Sequence, residues 1–177
     1  MERLKFFCRR VLSTVLAAVL VAASSWPAHA GREVQTAYTP QKVVFDFYFN
    51  DPAAIHSALY WVRALITPLG EPPYNLSPEE HEIKVVIHGT ELVTLAKKNY
   101  ERYAEAVERM KYLASLGVEF KACALAMPDY GYRPEDLHDF VDVVPSAITE
   151  LAHWQNLGFA LIPTNVLHKI YSIEQIR

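Results

Sequence analysis

The sequence predicts a three-layer α/β/α sandwich with a five-stranded, mainly parallel sheet. Segments rich in β-branched and aromatic residues alternate with segments whose apolar residues recur every three or four positions, the pattern of strands alternating with helices. The strand segments are apolar at most positions, so helices are expected to cover both faces of the sheet. Removing a predicted 30-residue signal from the 177-residue chain leaves 147 residues, the size of one domain.

The N-terminal 30 residues have the layout of a cleaved secretory signal. Basic residues precede an apolar stretch at 11–23, and Ala28-His29-Ala30 follows before Gly31. That stretch is well short of the ~20 apolar residues that a membrane-spanning helix needs. We therefore expect residues 1–30 to be removed, and the mature protein to be periplasmic and not held in a membrane. Residues 31–40 lack periodicity and are expected to form an exposed lead-in.

The domain is predicted to occupy residues 41–163, and its first half contains two strand-helix pairs. A strand at 42–49 (KVVFDFYF) is followed by a helix that ends near Gly70, with Ile55, Leu59, Val62 and Ile66 on one face. A second strand at 82–88 (EIKVVIH) is followed by a helix at 91–116. Gly117 after it is typical of a helix end.

The second half contains three more strands. An apolar strand at 118–127 (VEFKACALAM) precedes a short helix at 134–140, and a fourth strand (FVDVV) follows. Pro145-Ser146 then begins a helix that stops before Gly158, and FALIP at 159–163 is the fifth strand. The tail at 164–177 has an apolar residue at every third position from Leu167, which predicts a helix docked on its own domain.

Charge and motifs exclude several classes of function. Cleavage leaves 13 basic and 19 acidic residues, a net charge of −6, which offers no basic face for nucleic acid. The six glycines are too dispersed for a dinucleotide fingerprint or a P-loop. The common zinc, dithiol, calcium and serine-hydrolase motifs are also absent from the sequence. No cofactor and no metal are predicted.

Ligand-binding residues are expected where the strands end, because ligands of parallel α/β sheets bind beyond the carboxyl ends of the strands. Asn50 and His88 lie at two such ends and are the predicted binding residues. The simpler interpretation of His88 is a histidine at the edge of the core that is hydrogen-bonded to a backbone group. Asp51, Thr90 and Ser146 have a simpler interpretation as helix N-caps.

Cys123 is the main candidate for chemistry, since Cys8 would leave with the signal. Alternation along the strand places its side chain on the same face as Lys121. A cysteine in an apolar strand often behaves as an inert core residue. Reactivity would require the sulfur to lie at the open end of the strand, near a cation or a helix N-terminus.

Three consecutive segments resemble the DsrE/DsrF-like family, in which a helix ends in Leu-Gly-Val, a strand carries the cysteine and a Val-Pro-Ser helix follows. These segments are LGVEFKAC (116–123), VDVVPSAITELAHWQNLG (141–158) and FALIP (159–163). VVIHG (85–89) and KVVFDFYF are similar to the family's second and first strands, so the resemblance covers residues 42–163. It implies a domain that assembles with itself into trimers or hexamers, and Cys123 is the position that matches the family's persulfide-carrying cysteine.

The leading hypothesis is a periplasmic protein that accepts a sulfane sulfur on Cys123 and passes it on. Its partners would be sulfur donor and acceptor proteins or small sulfur compounds, and His88 would orient or deprotonate the thiol. One alternative is a non-catalytic homo-oligomeric scaffold with an inert Cys123. Another is a soft-metal or haem site formed by Cys123 with a histidine, which the residue spacing does not support.

Overall fold

The computed structural model describes residues 31–167 and 169–177, so the predicted signal peptide lies outside the described part of the chain. The strands are β1 (Lys42–Phe47), β2 (Glu82–Ile87), β3 (Glu119–Cys123), β4 (Val141–Val144) and β5 (Ala160–Pro163). The helices are α1 (Ile55–Gly70), α2 (Tyr100–Ser115), α3 (Ala147–Asn156) and α4 (Ile173–Ile176). The strands form one sheet in the order β4-β3-β2-β1-β5, and every pair is parallel. The predicted fold class is confirmed.

Helices cover both faces of the sheet, as the apolar strands require. On one face, β1 residues such as Val43 and Phe45 pack with α1 and α2 in the larger core cluster. On the other face, Val44 and Val86 pack with residues of α3 in a smaller cluster. Successive residues of a strand therefore enter different cores, which explains why the central strands are apolar at nearly every position.

The continuous helix predicted over 91–116 is wrong. A 3-10 helix covers Thr90–Leu95, another covers Lys97–Asn99, and only then does α2 begin. Ala96 between them has extended backbone angles, φ −80° and ψ 125°. The side chain of Glu91 is buried and accepts hydrogen bonds from the backbone of two other positions. These tertiary contacts replace the α-helical hydrogen bonds that the apolar periodicity suggested.

The third strand is shorter than predicted and ends at Cys123, because the chain turns there. The backbone N–H of Ala126 donates to the carbonyl of Cys123 at 3.2 Å, which closes the turn. Further along, the helix predicted at 134–140 is reduced to a 3-10 helix at Pro134–Asp136. Cys123 therefore lies at the carboxyl edge of the sheet and not in the middle of a long strand.

The C-terminal tail differs from the predicted docked helix. Helix α4 has only four residues, and the rest of the described tail has no regular structure. Its apolar side chains are between 53% and 83% exposed, namely Leu167, Ile170, Ile173 and Ile176. None of the helices within 31–167 and 169–177 is long and apolar enough to cross a membrane.

Candidate functional site

The thiol of Cys123 lies under the start of a helix. Cys123 pairs in register with Val144 of β4, and its side chain is 6% exposed. It packs with Val44 and Val86 in the core beneath α3. The backbone N–H of Ala147, the first residue of α3, donates a 3.3 Å hydrogen bond to Cys123 Sγ.

This contact gives the sulfur an electrostatic environment that favours negative charge. The first N–H groups of a helix have no partner inside the helix, and the helix dipole places partial positive charge there. Ser146, predicted to cap α3, occupies the N-cap position, but its side chain makes no capping hydrogen bond. The sulfur of Cys123 instead accepts the Ala147 N–H, so the helix N-terminus contacts the sulfur directly.

His88 lies beside Cys123 in the register of the sheet. The pairing of β2 with β3 ends at Ile87 and Ala122, so one further step along both strands places His88 next to Cys123 on the same face. Strands that pair in this way are about 4.8 Å apart. His88 N–H donates to the carbonyl of Phe47 at 3.2 Å, so His88 continues the β2 hydrogen bonding.

The imidazole of His88 turns away from the sulfur. His88 Nε2 donates to Asp46 Oδ1 at 2.8 Å, and the ring stacks on Tyr48 with centroids 4.7 Å apart. In the described part of the chain no hydrogen bond joins the imidazole to Cys123 Sγ. A bond from Nε2–H to a carboxylate leaves Nδ1 as the basic nitrogen of a neutral ring. The structure therefore places His88 and Cys123 side by side on neighbouring strands without a hydrogen bond between their side chains.

Asp46 is a site residue that the sequence analysis missed. It lies within β1, where the flanking Phe45 and Phe47 are buried, and its side chain is 26% exposed. A charged residue inside an apolar strand needs a partner, and His88 is that partner. The acid within KVVFDFYF was the signal that could have identified it.

Asn50 lies apart from the cysteine, at a crevice where β1, β2 and β5 end. The crevice has a volume of about 550 Å³, and Cys123 is not among its lining residues. Tyr48 lines the crevice and also stacks on His88, so it joins the two regions. Asp51, next to Asn50, is the N-cap that the sequence predicts: its Oδ1 accepts the N–H of Ala53 at 2.9 Å.

The floor of the crevice is fixed by Glu91, a second residue that the sequence analysis missed. Glu91 is fully buried, and its oxygens accept N–H groups from Gly89 at 2.9 Å and from Phe49 at 3.0 Å. Burial raises the pKa of Glu91, and these hydrogen bonds oppose the increase. Thr90 also binds this loop: its hydroxyl donates to the carbonyl of Phe49 at 2.9 Å and does not act as a cap.

Lys121, on the same face as Cys123, forms ion pairs with carboxylates. Its ammonium lies 3.1 Å from Glu119, 3.4 Å from Asp142 and 3.9 Å from Glu150. Burial lowers the pKa of Lys121, but the hydrogen bond and charge of Glu119 outweigh it, so the pKa is raised. Because three carboxylates surround this cation, the start of α3 is the positive group that contacts the sulfur.

No metal centre is formed by the residues that the structure describes. Among residues 31–167 and 169–177, no group of three or more His, Cys, Asp or Glu residues is placed to hold a metal ion.

Comparisons with known proteins agree with the fold. A solved structure similar to this chain is that of MTH1491, a protein of unknown function from Methanobacterium thermoautotrophicum. It is 25% identical, and the match covers 70% of this chain and 99% of that chain with a TM-score of 0.56. No curated protein matches the chain. The profile of the DsrE/DsrF-like family matches residues 42–163, more than half of the chain and the whole sheet, and the chain therefore belongs to this family.

Proposed function

We propose that this protein carries sulfane sulfur as a persulfide on Cys123. Membership of the DsrE/DsrF-like family suggests a role of the sulfur-relay type. The observation that supports Cys123 as the carrier is the 3.3 Å hydrogen bond from the Ala147 N–H to its Sγ. A group that stabilises negative sulfur favours both the thiolate that accepts sulfur and the persulfide anion that is formed.

The transfer step requires only one cysteine on this chain. The Cys123 thiolate attacks the outer sulfur of a donor persulfide, R–S–SH, and forms a new S–S bond. The S–S bond of the donor breaks, and R–S⁻ leaves with the electron pair. The number of protons and the total oxidation state of sulfur are unchanged, so no oxidant is needed. Release to an acceptor thiolate repeats the same exchange in the opposite direction.

His88 and Asp46 are proposed to support this step, His88 by taking the thiol proton and Asp46 by orienting His88. Asp46 accepts Nε2–H of His88 and leaves Nδ1 free, and Nδ1 would take the thiol proton once the ring turns toward Cys123. His88 and Cys123 occupy adjacent register positions on neighbouring strands. In this proposal, Asp46 is a positioning residue for His88.

One observation favours a second candidate, an inert core thiol in a non-catalytic homo-oligomeric scaffold. Cys123 is only 6% exposed and packs beneath Leu151 and Phe159. A donor could reach the sulfur only if the turn after β3 or the start of α3 opens. The two candidates therefore differ in how accessible the thiol is in the folded protein.

Thiol alkylation and mass spectrometry distinguish the two functions. The folded protein would be treated with iodoacetamide at neutral pH, with and without denaturant, and a second sample would be incubated with a low-molecular-weight persulfide. A carrier is expected to react while folded and to gain one sulfur atom, about 32 Da, on Cys123. Resistance to alkylation until denaturant is added, together with no mass gain, would support the scaffold.

Three variants make the result specific. Cys123→Ala should abolish the mass gain and retain the fold, since it leaves no buried hydroxyl without a partner. His88→Ala and Asp46→Asn should each slow alkylation at neutral pH and shift its pH profile, without changing the circular dichroism spectrum. If both variants keep the wild-type profile, the two residues have no part in the reaction, and Cys123 acts with α3 alone.

We further propose that the carrier works in the periplasm as a homo-oligomer. The three-part N-terminal sequence supports export. Neighbouring exposed apolar side chains support self-association, because contiguous apolar surface often marks an interaction site. Tyr60 and Trp61 on α1 are 62% and 39% exposed and line one apolar depression with Ile162 of β5.

A further inference from the structure

The crevice at the ends of β1 and β5 lies where the strand order reverses. The chain adds β2, β3 and β4 on one side of β1 and then adds β5 on the other side. In parallel α/β sheets this reversal leaves a gap at the carboxyl ends, and ligands bind there. The gap is the crevice of about 550 Å³ described above, which extends past Tyr48 and is separate from the cysteine.

Three backbone N–H groups of this crevice, just after β1 and β2, already have acceptors. The N–H groups of Gly89 and Phe49 donate to the Glu91 carboxylate at 2.9 Å and 3.0 Å. The N–H of Thr90 donates to the carbonyl of Phe49 at 2.9 Å. Free N–H groups at such loops are what binds phosphate and similar anions in related architectures. Glu91 removes that possibility for Gly89 and Phe49 and places a carboxylate behind the floor.

The groups that remain at the walls suit a positive ligand. No lysine, arginine or histidine is among the lining residues that the structure describes, and Asn50 and Asn165 contribute amide groups. Thr164 also lines the crevice: it is 7% exposed, and its buried hydroxyl has no hydrogen-bond partner within the described residues. Burial and then the charge of Glu91 raise the pKa of Tyr130, a further lining residue, which indicates negative potential at this wall.

We propose that this crevice binds a small organic ammonium ion. The faces of Tyr48 and Tyr130 would contact the cation, and Glu91 would supply attractive charge from behind. The Thr164 hydroxyl would accept or donate a hydrogen bond to a polar group of the ligand. This site goes beyond the sulfur carrier proposed above, since it involves neither Cys123 nor a sulfur compound.

An NMR titration of the ¹⁵N-labelled chain tests the charge selectivity. The probes are choline chloride, its uncharged isostere 3,3-dimethylbutan-1-ol, and sodium thiosulfate. Choline is expected to shift the amides of Gly89, Thr90 and Thr164, and to bind about three- to fivefold more tightly than the isostere, the gain of one exposed cation–π contact. Thiosulfate is expected to leave these amides unshifted.

Two substitutions and a matched control locate the site. Tyr130→Leu should weaken choline binding about threefold or more through the lost aromatic face, and Thr164→Val should weaken it without altering the fold. Tyr112→Leu removes an exposed tyrosine of α2 and should leave the affinity unchanged. The proposal is overturned if the isostere binds as tightly as choline, if thiosulfate shifts the same amides, or if choline produces no shifts.

Discussion

Replacing Gly89 with alanine tests the carboxylate that holds the ends of β1 and β2 together. Gly89 precedes the 3-10 helix that contains Glu91, and its N–H is one of two that the Glu91 carboxylate accepts. An alanine Cβ at this position would clash with Phe49 N and would lie 2.6 Å from Glu91 Oε2 and 2.7 Å from Phe49 O. Real Cβ atoms do not come so close to other heavy atoms, so the loop must move.

The expected loss of stability follows from the two hydrogen bonds in the path of that movement. Phe49 N belongs to the backbone just after β1, and Glu91 is fully buried, so neither group can move into solvent. A hydrogen bond to a charged group contributes about 1.5–3 kcal/mol, so loss of both would cost roughly 3–6 kcal/mol. Domains of this size have a total free energy of unfolding of about 5–15 kcal/mol. Gly89→Ala should therefore leave the protein partly or largely unfolded.

Urea denaturation followed by circular dichroism measures the effect, with Gly117→Ala as the matched control. Gly117 has φ +91° but nothing within 4 Å of a built Cβ, so its substitution tests backbone strain alone. That strain should cost about 1–2 kcal/mol. If Gly89→Ala loses no more free energy of unfolding than Gly117→Ala, the close packing of Gly89 against Phe49 and Glu91 does not stabilise the loop.

The other predictions concern pH, processing and assembly. Burial and the nearby charges of Lys111 and Lys97 lower the pKa of His138 from 6.5, so the unfolded chain takes up this proton first as the pH falls below 6.5. The free energy of unfolding should then decrease with falling pH, and urea midpoints on either side of pH 6.5 should show a smaller decrease in His138→Gln. Protein recovered from its native cell envelope should begin at Gly31 by N-terminal sequencing, whereas an intact Met1 would contradict the signal. Light scattering at micromolar concentration should give the mass of a closed oligomer, and a monomer mass would remove the trimer or hexamer expectation.

The fold could be predicted from the sequence because strand and helix periodicities are local signals. The apolar segments identified five strands, and glycines marked the ends of the helices between them. The apolar composition of the strands also predicted that both faces of the sheet are buried. The helix over 91–116 failed because periodicity cannot show that Glu91 points inward to accept the backbone of Phe49, 42 residues away. The pairing of Asp46 with His88 is also separated by 42 residues. Such partners become visible only when the order of the strands is known.

Cys123 shows the same limit in another form. Alternation along β3 placed its side chain with Lys121, and the sequence analysis named a nearby cation or a helix N-terminus as the group that would activate the thiol, without deciding between them. Lys121 faces three carboxylates, and the group that contacts the sulfur is instead a backbone N–H of α3. No side-chain pattern encodes that contact, because a backbone N–H is present at every residue except proline.

The carboxyl edge of the sheet is therefore divided into two regions of opposite electrostatic character. Beside β3 and β4, the start of α3 presents a positive dipole end to Cys123, which stabilises anionic sulfur. Beside β1 and β5, Glu91 accepts the N–H groups of Gly89 and Phe49 and lies behind the crevice. Under the two proposals above, an anionic sulfur donor would be favoured at Cys123 and disfavoured in the crevice. The donor would then be selected by charge, because the buried thiol is the less accessible of the two regions.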